Sequence, residues 1–129
     1  MDSTYEIRNN CLFLKATGHF DVNRSKEIID EALEKLRIHN LNKIFDDVTE
    51  LKGLDEAKES IMKMFVLAPL ITPALPKGTK TSFLGTEKQV RKYSFFEDVT
   101  TRFGIAVKVT TKPEEGLEWL GMLSEEKSE

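Results

Sequence analysis

Ile44-Phe45-Asp46-Asp47-Val48-Thr49-Glu50-Leu51-Lys52-Gly53-Leu54-Asp55 passes from an apolar entry into acidic residues and on into an amphipathic segment. It reads as a strand over Lys43 to Asp47, an acidic loop, and the start of a helix with Ala57, Ile61, Met64, Phe65 and Ala68 on one face. In an open α/β sheet, ligands and partners engage the loops that leave the carboxyl ends of strands, so this junction is the first candidate for function.

Upstream, Tyr5 to Asn9 and Cys11 to Thr17 are strand-forming segments around Asn9-Asn10, a dipeptide that tolerates the positive φ of a tight hairpin. Asp21 or Asn23 caps a helix carrying Ile28, Ile29, Ala32, Leu33 and Leu36 at helical spacing, and His39-Asn40 closes it. Downstream, Pro69, Pro73 and Pro76 interrupt the pattern before a fourth strand over Thr79 to Leu84. Gly85-Thr86 then opens a helix buried through Val90, Tyr93, Phe96, Val99 and Phe103, which Gly104 stops. Ile105 to Val109 is a fifth strand. Thr111-Lys112-Pro113-Glu114 has the spacing of a capping box for a last helix through Leu117 and Leu120.

This order predicts an α/β fold: a mixed, mostly parallel sheet of about five strands with an N-terminal antiparallel hairpin, packed by about four helices. With 129 residues, 40% of them hydrophobic, the chain fits one domain over residues 1–123 with a polar tail over 124–129. The 19 Lys and Arg against 22 Asp and Glu leave a net charge of -3, which offers no global attraction for nucleic acid. A single cysteine permits no internal disulfide, and Met-Asp-Ser-Thr-Tyr lacks the basic and apolar regions of a secretory signal, so the expected location is cytoplasmic. The apolar run from Met62 to Leu75 carries Lys63 and two prolines and falls short of the roughly 20 residues of a membrane span.

Several stretches together resemble the STAS family (sulfate transporter and anti-sigma factor antagonist domains), above all its stand-alone SpoIIAA-like, STAS/SEC14-like branch. They are Ala16-Thr17-Gly18-His19-Phe20, the Ile44 to Leu51 run, Phe96-Glu97-Asp98 with Phe103-Gly104-Ile105, and Val107 through Leu120. The resemblance implies a non-enzymatic interaction or ligand-sensing module. Anti-sigma factor antagonists place an aspartate and a phosphorylatable serine where this chain has Asp55-Glu56-Ala57-Lys58. Asp55 keeps the acid. Glu56 brings permanent charge and Ala57 has no hydroxyl, so the phosphorylation switch is not expected here.

The protein-binding surface is therefore expected at Asp47, Thr49, Glu50, Asp55, Glu56 and His19. Asp46, Asp47, Glu50 and Asp55 have the oxygen chemistry of a calcium or magnesium site but not the glycine-turn spacing of a calcium loop, and neither metal nor cofactor is expected. Cys11, His19 and His39 are the only residues from which a thiol or imidazole mechanism could be built, and Cys11 in a strand reads as a small buried hydrophobe. Lys80, Thr86 and Lys88 form a candidate anion site beside Gly85. A different class of function, a carrier or sensor for a lipid or other hydrophobic small molecule, would use an apolar wall over residues 62–76 with Met64, Phe65, Leu67, Leu70 and Ile71. A homodimer would form through the hairpin edge or that same proline-rich stretch.

Overall fold

Asn9 and Asn10 both adopt positive φ, 50° and 60°, and join β1 (Asp2–Arg8) to β2 (Cys11–His19) as an antiparallel hairpin. The structure is a computed structural model that describes residues 1–58, 68–70 and 72–122. Both strands run longer than their strand-forming cores, because β1 is paired along its whole length from Asp2↔Thr17 to Arg8↔Cys11.

Asp21 is the cap of α1 (Val22–Ile38), its carboxylate accepting from the Arg24 amide at 2.9 Å. The helix ends in a Schellman motif: Asn40 takes φ 53°, and the Leu41 amide returns to the Leu36 carbonyl at 2.9 Å. Leu41 thereby enters the core and delivers the chain to β3 (Lys43–Lys52), a ten-residue strand. After a single helical turn at Ala68–Leu70 come β4 (Lys80–Leu84), α2 (Glu87–Tyr93), α3 (Phe95–Arg102), β5 (Ala106–Thr110) and α4 (Pro113–Trp119). The five strands lie in the order β1-β2-β3-β4-β5, with β2 to β5 parallel and β1 the antiparallel edge. The predicted mixed sheet is present.

On one face, Leu12, Leu14 and Ile44 pack against Ile28, Ala32 and Leu36 of α1, while Ala16, Phe83, Val107 and Val109 meet Tyr93 and Phe96 of α2 and α3. The other face is covered by α4, where Cys11, Phe45 and Leu84 pack with Leu120 and Met122. Gly116 lets α4 approach closely: a Cβ there would stand 2.4 Å from Ser82 Oγ and 3.2 Å from the Phe45 ring. The glycine that costs helix propensity is what seats the helix on the sheet.

Three expectations are corrected. The third strand does not end at Asp47 but continues to Lys52, so the acidic loop is mostly strand. The helix expected through Phe103 is broken at Ser94 into α2 and α3, and Phe103 is 64% exposed. Phe103 is the C-cap; Gly104 turns the chain at φ 73°, the Ile105 amide bonds Thr100 O at 2.9 Å, and Ile105 returns to the core in its place. The capping box over residues 111–114 does not form either. Thr110 Oγ1 instead accepts from the Lys112 amide at 3.1 Å and donates to Glu115 at 2.7 Å, one residue outside the expected frame at each end.

Candidate functional site

The carboxyl half of β3 leaves the sheet by a bulge. Between Lys15↔Asp47 and Thr17↔Glu50, β3 spends three residue steps against two of β2, an extra residue that re-aims the strand. Asp47 holds the bulge: its Oδ1 accepts from the Thr49 amide at 2.9 Å and from the Thr49 hydroxyl at 2.6 Å. β4 stops pairing at Leu84, so beyond Asp47 the strand is laddered to β2 alone.

Gln89 makes up the missing support. Its side chain is buried, donating to Val48 O at 2.8 Å and Leu51 O at 3.2 Å, while its Oε1 accepts from the Thr86 amide at 2.7 Å. Thr86 Oγ1 in turn accepts from the Gln89 amide at 3.2 Å, completing a capping box that ties the start of α2 to the bulge. This residue was not among the expected site residues. Its sequence signal was Thr86-Glu87-Lys88-Gln89, the hydroxyl-x-x-amide spacing of such a box.

Past Lys52 the chain turns at Gly53, φ 84°, over which the His19 ring lies: a Cβ on Gly53 would be 2.8 Å from His19 Cε1. Leu54 is fully buried and pins the turn to the core, and Lys92 Nζ donates to the Asp55 carbonyl at 2.7 Å. The Glu56 and Ala57 amides return to Gly53 O and Leu54 O, so residues 53–57 are turns rather than the first turn of a helix. The side chains of His19 and Glu56 are exposed at this edge and Asp55 is half-buried. The helix expected over 57–68 lies mostly outside the described residues.

The expected partner residues thus fall into two groups. His19, Asp55 and Glu56 gather where β2 and β3 end. Asp47 and Glu50 share the α4 side of the sheet with Lys15, which forms an ion pair with Glu50, and Thr49 is committed to Asp47. Lys80 begins β4, its ammonium 5.1 Å from the Trp119 ring centre, whereas Thr86 and Lys88 lie beyond the strand's other end. The structure does not bring the three anion-site residues together, and the Thr86 amide and hydroxyl are used by Gln89. Of the apolar set, Leu70 is buried in the core; Met64, Phe65, Leu67 and Ile71 lie outside the described residues.

Burial pushes the Cys11 thiol up to about 11, the opposite of what a nucleophile needs. His19 stands at the far end of the same nine-residue strand, about 26 Å away at strand rise, so the two cannot pair. Among the described residues, no three His, Cys, Asp or Glu side chains are grouped to hold a metal ion, and no helix is long and apolar enough to cross a membrane.

Asp46 behaves differently from its acidic neighbours. It points to the α1 side and is 9% exposed; burial first, and the Asp47 charge second, raise its carboxyl to about 7. It lines a cavity of about 60 Å³ between the sheet and α1, with Ile44 and Thr81 on the floor, Ile28 and Leu33 above, and Leu75 at the side. A wider cleft of about 500 Å³ adjoins this cavity at Leu70 and Leu75 and opens by the amino ends of β4 and β5, where Lys80 and the exposed Phe103 lie.

No family model matches the chain, and no curated protein sequence matches it. Its structure, however, is similar to solved ones. An anti-sigma factor antagonist from Mycobacterium paratuberculosis matches with TM-score 0.64 at 10% identity, covering 91% of each chain. The anti-sigma factor antagonist SpoIIAA in its unphosphorylated form matches with TM-score 0.55 at 10% identity, over 94% of this chain and 98% of that one. The chain has a SpoIIAA-like, STAS fold. The protein TM1081 shares it, with TM-score 0.59 at 17% identity over 88% of this chain and 84% of that one. In this SpoIIAA-like frame, the edge built from His19, Gly53, Asp55 and Glu56 is the exit from the central strand.

Proposed function

We infer that this chain is a non-enzymatic regulatory module that binds a protein partner through the edge at the ends of β2 and β3. The observation that carries this reading is the way the acidic turn is held: Leu54 buried beneath it, Lys92 bonding the Asp55 carbonyl, Gln89 bonding Leu51 O in the strand just ahead of it, and Glu56 left exposed. A turn fixed on a rigid scaffold loses little freedom on binding, which is where recognition energy is conserved. The likeness to anti-sigma factor antagonists supports a protein as the partner. Glu56 and Ala57 stand where the resemblance expects a phosphorylatable serine, so the edge presents constant negative charge and binds without a phosphorylation step.

Affinity capture with the native chain and with Asp55→Lys plus Glu56→Lys tests the placement. Loss of the partner from the double variant, with the fold intact by circular dichroism, is expected; undiminished capture overturns it. A second reading, a carrier or sensor of a small apolar molecule, is favoured by the cavity under α1 with a carboxyl and a hydroxyl in its lining. Binding of no small apolar molecule to the cavity overturns that reading.

A further inference from the structure

Four described side-chain oxygens are buried without a hydrogen-bond partner: Asp46 Oδ1, Thr81 Oγ1, Ser82 Oγ and Tyr93 OH. Each such group has lost its water without a replacement, so each calls for a reason. For Ser82 the reason is space, since Gly116 is packed against its hydroxyl and nothing can enter. Asp46 and Thr81 are different. Both line the same cavity, on adjacent strands, where Asp46 pairs with Phe83 and Thr81 with Ile44.

The rest of the described lining is hydrocarbon apart from the Met1 thioether, and Asp46 is its only ionisable side chain. The Met1 sulfur accepts from Ser25, and its amine lies beside Gly18, four residues along β2 from the Leu14 that pairs with Asp46. The titratable groups that act on Asp46 are Asp47, through its charge from the opposite face of the same strand, and the Tyr93 phenol from α2; α1 presents only Ile28, Ile29, Ala32 and Leu33 to the cavity. No cation among the described lining side chains offsets a negative charge. Once Asp46 is ionised, an anionic head group would therefore be buried against a second negative charge with no described side chain to neutralise either.

Resting on the carrier reading, we propose that this cavity binds a small aliphatic molecule with a hydrogen-bond-donating, non-anionic head, an alcohol or an amine, seated on Asp46 and Thr81. The head donates to the Asp46 carboxylate and shares the Thr81 hydroxyl once the two side chains turn toward the cavity, since Asp46 Oδ1 and Thr81 Oγ1 are closed to water as they stand. The hydrocarbon lies against Ile28, Ala32 and Leu33. At about 60 Å³ the cavity takes the head and the first few carbons. Above the Asp46 midpoint, fatty acids and lipid phosphates are disfavoured by the same charge argument.

Three probes of one chain length separate the sources: 1-hexanol, hexylamine and hexanoate, titrated into the full chain and followed by chemical-shift changes at Ile28, Ile44 and Thr81. Hexanol and hexylamine shift these residues, and hexanoate binds about tenfold more weakly or not at all, as the loss of one charge-assisted contact requires. Above the Asp46 midpoint hexylamine outbinds hexanol, and Asp46→Asn removes that preference while keeping the fold by circular dichroism. Thr81→Val weakens both. If none of the three shifts the cavity residues, the carrier reading itself falls. If hexanoate binds as well as the other two, or Asp46→Asn leaves the amine preference unchanged, the cavity binds apolar molecules but the head-group assignment is overturned.

Discussion

The two halves of β3 carry the same kind of sequence and do different work. From Lys43 to Asp47 the strand is laddered on both sides, and Ile44, Phe45 and Asp46 are all buried. From Val48 to Lys52 it pairs with β2 alone, past a bulge, and sends Glu50 and Lys52 to solvent. One acidic run is thereby divided: Asp46 into a cavity, Asp47 into the bulge, Glu50 into an ion pair with Lys15, and Asp55 and Glu56 into a turn at the edge. What decides each fate is the number of neighbouring strands. Where two strands flank β3, alternation is strict and an acid can be forced inward; where one does, side-chain bonds take over the support and acids reach water.

The largest way to break this contrast is Gln89→Leu. Leucine removes both donations to Val48 O and Leu51 O and uncaps Thr86, leaving buried carbonyls unpaired at a cost of about 3 kcal/mol. Urea unfolding measures the loss, and hydrogen exchange should show it concentrated beyond Asp47, with the amides of residues 43–47 still protected.

Next in size is Asp46→Asn. Because the folded carboxyl is raised from 3.8 to about 7, the native state keeps a proton that the unfolded chain has released between those values. Stability therefore falls as pH rises through that window and stays reduced above it. Asparagine does not ionise, so the variant should lose this slope and unfold at a higher temperature than the native protein above neutral pH. A variant less stable than the native chain at every pH would contradict the burial of this carboxyl.

The smallest effect is expected at Lys15→Ala. Glu50 and Lys15 are both well exposed, and their hydrogen bond raises the lysine, yet an ion pair in open solvent contributes little to stability and fades with salt. A thermal melt should barely move. A large loss would mean that the carboxyl half of β3 depends on charge rather than on Gln89.

The legible part of the fold was the part with local causes. Asn9-Asn10 demanded a positive-φ hairpin, the 28-29-32-33-36 spacing fixed the buried face of α1, and Gly104 marked a helix stop. The carboxyl half of β3 was not legible, because Asp47, Thr49 and Glu50 have the composition of a loop and become strand only through a bulge and a glutamine 38 residues beyond Leu51. Phe103 misled because helical spacing says nothing of a break at Ser94 or of Ile105 taking the core position. At the site, His19, Asp55 and Glu56 could be grouped in advance since strand ends meet in a parallel sheet. Lys80 with Thr86 could not be rejected without knowing that β4 separates them.

The division of the acidic run is tested most directly by a carbon-detected NMR titration of the Asp46 carboxyl in the native chain. The account predicts a midpoint near 7, about three units above the ordinary aspartate value. A midpoint near 3.8 would show that Asp46 faces water like the acids that follow it.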